Sequence, residues 1–347
     1  MYCIPPKAIW RQIKKDWIGK DVYRGVSLSY ALMATQFGHF ALGFIPAILG
    51  YLAKPKILDC TGFAIWPFTG VTAFWLCFEI LNFYRSILKP AKGSKSKKWI
   101  KSFPFEPSWK NLVDDLVTDI GFFGLGAGLA GIIFIFSWIG LIIYIAFCVV
   151  FVRSFLKWYK TKMFLQEAHY PFQFRLSQWE TDIGEENKKN VLLFLEDDAP
   201  GKHLLVFGNN VAEKLSLCVG IATELSFRHQ RCTYTTAMKL NCMFYKPNPD
   251  ILCIYSNCLW TWQNTSVLII DDINPSHSIK EEIFSCNLFF NHLNNQEFDE
   301  RNKEILSEKK VIWILGNDTH GKVKQNSWED KLAGIGVDRL NMKTINL

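Results

Sequence analysis

The chain has 347 residues, 10 cysteines and a formal net charge of +7. That length suits two domains, and the apolar residues are spread unevenly between the two halves. Cys253 and Cys258 are the closest cysteine pair, but their separation suits no metal knuckle and no histidine pair completes it, so reduced thiols are expected and a zinc finger is not.

Lys7, Arg11, Lys14, Lys15, Lys20 and Arg24 open the chain, ahead of residues 25–53, which carry no Lys, Arg, Asp or Glu. This run starts too late and is too long for a cleavable signal peptide. Residues 60–78 are likewise uncharged, and both runs are long enough to cross a bilayer, which takes roughly 20 residues. A second basic group, Lys89, Lys92, Lys95, Lys97, Lys98 and Lys101, follows. Residues 104–118 then read as an amphipathic segment lying on a membrane surface, with Trp109, Leu112, Val113, Leu116 and Val117 beside Lys110, Asp114 and Asp115. From Ile120 to Val152 there are 33 uncharged residues. As one helix they would run roughly 50 Å at about 1.5 Å per residue, longer than a hydrocarbon core of about 30 Å. A tight hairpin turning near Ser137-Trp138 is the expected solution.

A third basic group, Arg153, Lys157, Lys160 and Lys162, follows that run, whereas the link between the first two runs holds only Lys54 and Lys56. Four spans put all three basic groups on the cytoplasmic side, as the positive-inside rule requires; three do not. The sequence therefore divides into a membrane domain at 1–162, with spans at about 25–52, 60–84, 119–136 and 139–157 and a basic cytoplasmic loop at 85–118. A connector at 163–185 and a cytoplasmic domain at 186–347 complete it. Gln36, His39 and Glu79 fall within or near the spans but read as separated polar groups that outline no ion path. Gly124-Leu125-Gly126-Ala127-Gly128 and Gly131 put small residues at helical spacing, a face for close packing within the chain or between copies.

In the second half, apolar strand-like runs alternate with helical patterns, which predicts a parallel sheet covered by helices. His203–Gly208 reads as a buried strand, and Val211–His229 has a helical stripe at Leu215, Cys218, Val219, Ala222 and Leu225. Cys232–Thr235 is a second strand and Thr236–Phe244 a further helix. Val267-Leu268-Ile269-Ile270-Asp271-Asp272 is a strand ending in two acids. Val311–Asn317 and Lys343–Leu347 are the last two strands. The remaining histidines, including His203 and His229, show no metal-site spacing and read as surface or capping residues. Trp260, Trp262 and Trp313 read as core or interface aromatics.

Gly208-Asn209-Asn210-Val211-Ala212-Glu213-Lys214-Leu215 stands where G-x-x-x-x-G-K-[ST] would follow the first strand. The strand, the first glycine and the lysine are present; Glu213 replaces the second glycine and Leu215 the hydroxyl residue that would hold Mg²⁺. With the double-acid strand and the strand ending in Asn317, the ordered set over roughly 200–347 resembles the P-loop ATPases of the AAA+ group, especially helicase loaders and transposition helpers of the DnaC and IstB type. The resemblance implies that residues 208–215 line a nucleotide site and that Asp271 binds Mg²⁺ if nucleotide binds. It further implies that Asp272 polarises water and that Asn317 senses the terminal phosphate. Glu213 sets a side chain and a negative charge against the phosphates. Two unit charges about 4 Å apart repel by roughly 1 to 4 kcal/mol between the dielectrics of water and protein surface.

The expected fold is thus an α-helical transmembrane bundle followed by an α/β P-loop domain with a parallel sheet. The expected function is a membrane-anchored pseudo-ATPase, a docking subunit of a bacterial inner-membrane assembly in secretion, conjugation or defence, with both termini cytoplasmic. No cofactor is required by this reading; ATP or ADP with Mg²⁺ is the ligand of its rival, an active tethered ATPase acting as motor or loader. A small channel or transporter with a nucleotide-sensing domain is the third reading. Expected partners are membrane lipids and other subunits, or a second copy through the Gly124/Gly128 face, with nucleic acid less favoured.

Overall fold

The computed structural model describes residues 4–18, 27–53, 66–88, 103–208, 210–244, 259–273, 285–294, 299–316 and 321–347. Asn209, Asn317, Cys60, Cys253, Cys258, His277, His320 and the basic stretch 89–101 lie outside them. The chain is mostly helical and divides into two compact units. One comprises Pro5–Ser102 and Ser108–Met163; the other comprises Met1–Ile4, Phe103–Pro107 and Phe164–Leu347.

The first unit is built from α1 (Pro6–Ile18), α2 (Leu28–Ala53), α3 (Trp66–Leu88), α4 (Trp109–Phe134) and most of α5 (Trp138–Glu167). Three of these, α2, α4 and α5, are long and apolar enough to cross a membrane. The uncharged run 120–152 is broken at 135–137, between α4 and α5. Residues 109–118, expected as a separate surface segment, are instead the first turns of α4. Their acids have partners to hold them in line with the helix: Lys157 and Lys162 of α5 reach Asp114 and Asp115, each at 2.7 Å.

Small residues let α2 and α4 run side by side in the same direction. A Cβ on Gly43 would lie 2.2 Å from the Phe123 carbonyl oxygen, and one on Gly126 would lie 2.0 Å from that of Phe40. Further along, Ala47 and Tyr51 share a buried cluster with Ala127 and Ala130. Helix α3 runs the opposite way, with Pro67 against Gly50 and the Trp75 indole donating to the Leu42 carbonyl at 2.9 Å. Gly124 and Gly128 face Phe147 and Tyr144 of α5 in the same chain. The outer surface of α5, with Ile139, Ile142, Val149 and Val150 well exposed, is strongly apolar.

The second unit contains α6 (Glu185–Glu196), β1 (His203–Phe207), α7 (Val211–Phe227), β2 (Cys232–Thr236) and α8 (Ala237–Phe244). It continues with β3 (Val267–Asp271), α9 (Cys286–Asn294), α10 (Asp299–Glu308), β4 (Lys310–Ile314), α11 (Gly321–Gly334) and β5 (Met342–Asn346). The strands form one parallel sheet in the order β2-β3-β4-β1-β5. Parallel strands covered on both faces read as continuous Val/Ile/Leu runs because both side-chain rows are buried. Leu205, Leu268, Ile270 and Trp313 accordingly enter one core with Leu240, Phe289 and Trp328. Leu204, Val206, Ile269 and Ile312 enter the other with Leu217, Ile221 and Val191. The unit begins before residue 186: Ala168, Leu176 and Trp179, in the stretch expected as a connector, are buried in that second core.

Candidate functional site

Strand order decides what meets at the carboxyl ends of the strands. The chain leaves β1 for the far strand β2, steps back through β3 and β4, and crosses β1 to reach β5. In open α/β sheets, ligands bind outside the carboxyl strand ends where the order reverses. Here that edge collects Gly208 after β1, Asp271 and Asp272 at the end of β3, and Leu315 after β4.

Only three residues, Gly208, Asn209 and Asn210, separate β1 from α7. The Asn210 side chain caps the helix, its oxygen accepting from the Ala212 amide at 3.1 Å and the Glu213 amide at 3.3 Å. Two of the four amides that a helix start leaves without partners are thereby satisfied by the chain itself. Val211, Ala212 and Glu213 belong to the first turn of α7. Glu213, an acid there, complements the positive end of the helix dipole. Gly208 is closely covered: a Cβ would meet Leu347 Cβ at 3.0 Å and Lys214 Cγ at 3.1 Å.

Lys214 is turned inward. It is 2% exposed, and its ammonium donates to the Leu315 carbonyl at 2.6 Å. Burial pulls the amine below the usual lysine range, while Cys218 and Asp271 act in the opposite direction. Leu215 is partly buried against the core and offers no hydroxyl.

Asp271 is engaged through both carboxylate oxygens. Tyr234 on β2 donates its hydroxyl to Oδ2 at 2.5 Å, and the Asp272 amide donates to Oδ1 at 2.8 Å. Burial and this carboxylate together raise the Tyr234 phenol far above its ordinary range. Asp272 stands at the exposed rim with φ of 56°, a left-handed conformation that Asp tolerates better than most residues. Its carboxyl is raised by partial burial first and by Asp271 second, and lowered by Lys239.

The edge therefore brings together Gly208, Asn210, Lys214, Asp271 and Asp272. Among the described residues, the groups that would hold a magnesium nucleotide are engaged within the chain in this arrangement. The capping asparagine holds the amides of 212 and 213, a backbone carbonyl holds the lysine ammonium, and a phenol and an amide hold Asp271. Among the described residues no group of three or more His, Cys, Asp or Glu is arranged to hold a metal ion.

Sequence reasoning missed two features of this unit. His203, expected at the surface, is fully buried between β4 and β5 and accepts the Trp313 indole hydrogen at Nδ1, 3.0 Å away. At the opposite end of the sheet, a cleft of about 700 Å³ is lined by Arg228, Arg231, Lys309 and Lys310 with Asp198 and Glu308. Lys309 and Lys310 are held by backbone carbonyls of Gln263, Thr265 and Asp197, and burial brings both down to about 8. The adjacent Lys309-Lys310 pair just before an apolar run was the sequence signal for that cleft. No protein-family model and no curated protein matches the chain.

Proposed function

We propose that this chain is a membrane-anchored pseudo-ATPase: a P-loop-type domain, of the AAA+ kind its motifs resemble, carried on membrane-crossing helices and turned from nucleotide chemistry to docking. Its place is a bacterial-type inner membrane, with both termini cytoplasmic, as a structural subunit of a larger assembly in secretion, conjugation or defence. Lipid contacts the apolar face of α5, and other subunits contact the α/β unit.

The observation that carries this reading is the inward turn of Lys214 onto Leu315, with Asn210 closing the helix start above it. A working phosphate loop needs free amides and a lysine that reaches the phosphates. The ordered return of β1, double-acid β3, then β4 beside β1 supports descent from such a domain, and Glu213 and Leu215 account for its silence.

Calorimetric titration of ATP and ADP, with and without Mg²⁺, into the full-length protein in lipid nanodiscs tests it. The expected result is no saturable binding up to about 1 mM, an affinity near 4 kcal/mol. Tight Mg²⁺-dependent binding, with turnover that Lys214→Ala abolishes, would defeat the docking reading in favour of an active tethered ATPase.

A further inference from the structure

Gln36 and His39 on α2, Glu79 on α3 and Asp119 on α4 read as separate groups in the sequence, yet the helices bring them together. The Gln36 amide donates to Asp119 Oδ1 at 2.7 Å, and His39 Nδ1 lies 3.3 Å from both that carboxylate oxygen and the Gln36 oxygen. Glu79, 8% exposed, interacts electrostatically with both His39 and Asp119. One face of the imidazole is closed by Phe123, stacked at 4.7 Å, which in turn stacks on Trp75 at 4.6 Å. His39 lies within the uncharged run 25–53, while Glu79 directly follows the uncharged run 60–78 and Asp119 directly precedes the run 120–152, so the group stands at the charged end of the apolar stretches.

We propose that His39, Asp119 and Glu79 form an intramembrane proton-binding site whose proton exchanges with water. This rests on the reading that α2 to α4 cross a membrane.

The first argument is charge. Asp119 lies against the imidazole and Glu79 interacts electrostatically with both, so the three groups carry two net negative charges when fully deprotonated and one when the imidazole is charged. Of the neighbouring cations, Lys157 pairs with Asp114 and Lys162 with Asp115, both toward the start of α4, and Arg85 on α3 and Arg153 on α5 are exposed. On α1, Asp16 is held by the Tyr159 hydroxyl and by Gln12, and on α3 Glu79 has Asn82 as its hydrogen-bonding neighbour. An uncompensated carboxylate in an apolar layer neutralises rather than stays charged. The cluster must therefore hold a proton beyond the one that the imidazole carries.

The second argument is ligand chemistry. Both groups facing His39 Nδ1 are acceptors, which fixes a proton on that nitrogen and leaves the remaining imidazole nitrogen and the carboxylates as exchange positions. A metal ion would want several convergent oxygen or nitrogen ligands, and among the described residues no group of three or more His, Cys, Asp or Glu is arranged to hold one. His39 and Asp119 keep 20% and 23% of their side chains accessible. The step is simple: a water-derived proton forms one O–H bond on a carboxylate, and its release returns that proton to water.

Infrared difference spectroscopy of the full-length protein in nanodiscs at neutral pH tests the site. The wild type is expected to show a protonated-carboxyl C=O band that shifts in D₂O and disappears in Glu79→Gln or Asp119→Asn. Glu224→Gln serves as background, because Glu224 in the α/β unit is a second buried carboxyl raised to about 7 by burial. Three results would overturn the proposal: no band left in the Glu224→Gln protein, a band that survives both membrane substitutions, or one that ignores D₂O. The first needs no membrane variant to fold. Alkaline extraction of native membranes reports separately on the anchoring: release of the chain would refute the membrane reading, whatever the spectrum shows.

Discussion

Replacing Glu224 by glutamine should make the α/β unit more stable at pH 8 and leave it unchanged near pH 4. Glu224 lies on α7 with 7% exposure, and burial pushes its carboxyl up to about 7, with Arg228 and Arg175 only partly opposing that shift. In the unfolded chain the same group titrates near its ordinary value of 4.5. Between those values the folded state binds more protons than the unfolded one, so stability is whole below about pH 4.5 and falls as pH rises toward 7. A shift of this size at about 1.4 kcal/mol per unit corresponds to roughly 3 kcal/mol lost at pH 8. For a unit of this size that is roughly 6 to 12 °C in melting temperature. The glutamine variant keeps the shape without the charge and should melt almost independently of this transition. Tryptophan-fluorescence melts of both proteins across pH 4 to 8 read the difference directly. Parallel curves, or a variant less stable at pH 8, would mean that Arg228 and Arg175 compensate the charge fully, and the reasoning would be wrong.

Gly126→Ala should separate α2 from α4, because its new Cβ would sit 2.0 Å from the Phe40 carbonyl oxygen, whereas Gly38→Ala meets nothing within 4 Å. A loss of about 1 to 3 kcal/mol for the first and little for the second would appear in detergent melts. His203 is fully buried and burial drives its imidazole down to about 3, so it folds neutral. Stability should be complete above about pH 6.5 and drain away as pH falls toward 3, less steeply in His203→Gln, followed by near-ultraviolet circular dichroism. Tyr234→Phe removes the hydroxyl from Asp271 and should cost roughly 1.5 to 3 kcal/mol, as for a hydrogen bond to a charged group, in chemical denaturation. The double change Glu213→Gly with Leu215→Thr restores the phosphate-loop pattern and should raise ATP affinity measurably in the titration described above.

The strands were legible because their chemistry is local. Four buried residues in a row before an acid pair, or before Gly208, can only satisfy a two-sided sheet. Helix α7 was legible for a related reason, its apolar stripe being a property of neighbouring residues. What escaped was set by distant contacts. His203 opens β1 and resembles any polar strand start, but pairing with β4 on one side and β5 on the other takes it into the core. Asp119 stands at the edge of an uncharged run and reads as its boundary. The close crossing at Gly43 and Gly126 instead places it level with Gln36 and His39, 83 and 80 residues earlier in the chain. Glu79, read as one of several separated polar groups, is buried. Hydropathy records how apolar a helix is, but not which turn of it meets which neighbour.

On the proposed reading, the closed loop and the loss of nucleotide chemistry are one property seen twice. Asn210 stabilises α7 by taking the amides of Ala212 and Glu213, worth about 1 kcal/mol as a cap, and those are amides a phosphate would need. Lys214 gains a charge-assisted bond of roughly 1.5 to 3 kcal/mol from the Leu315 carbonyl, and an incoming nucleotide would have to break it. Glu213 complements the dipole of its own helix and repels any other anion at the same place. Each contact that makes this helix start a good one is subtracted from phosphate affinity, and together they amount to several kcal/mol, roughly a thousandfold or more in binding. Satisfying the helix start internally leaves a sheet edge with Asp272 at its exposed rim. On the proposed reading, a surface of that kind holds a protein partner rather than turning over a nucleotide.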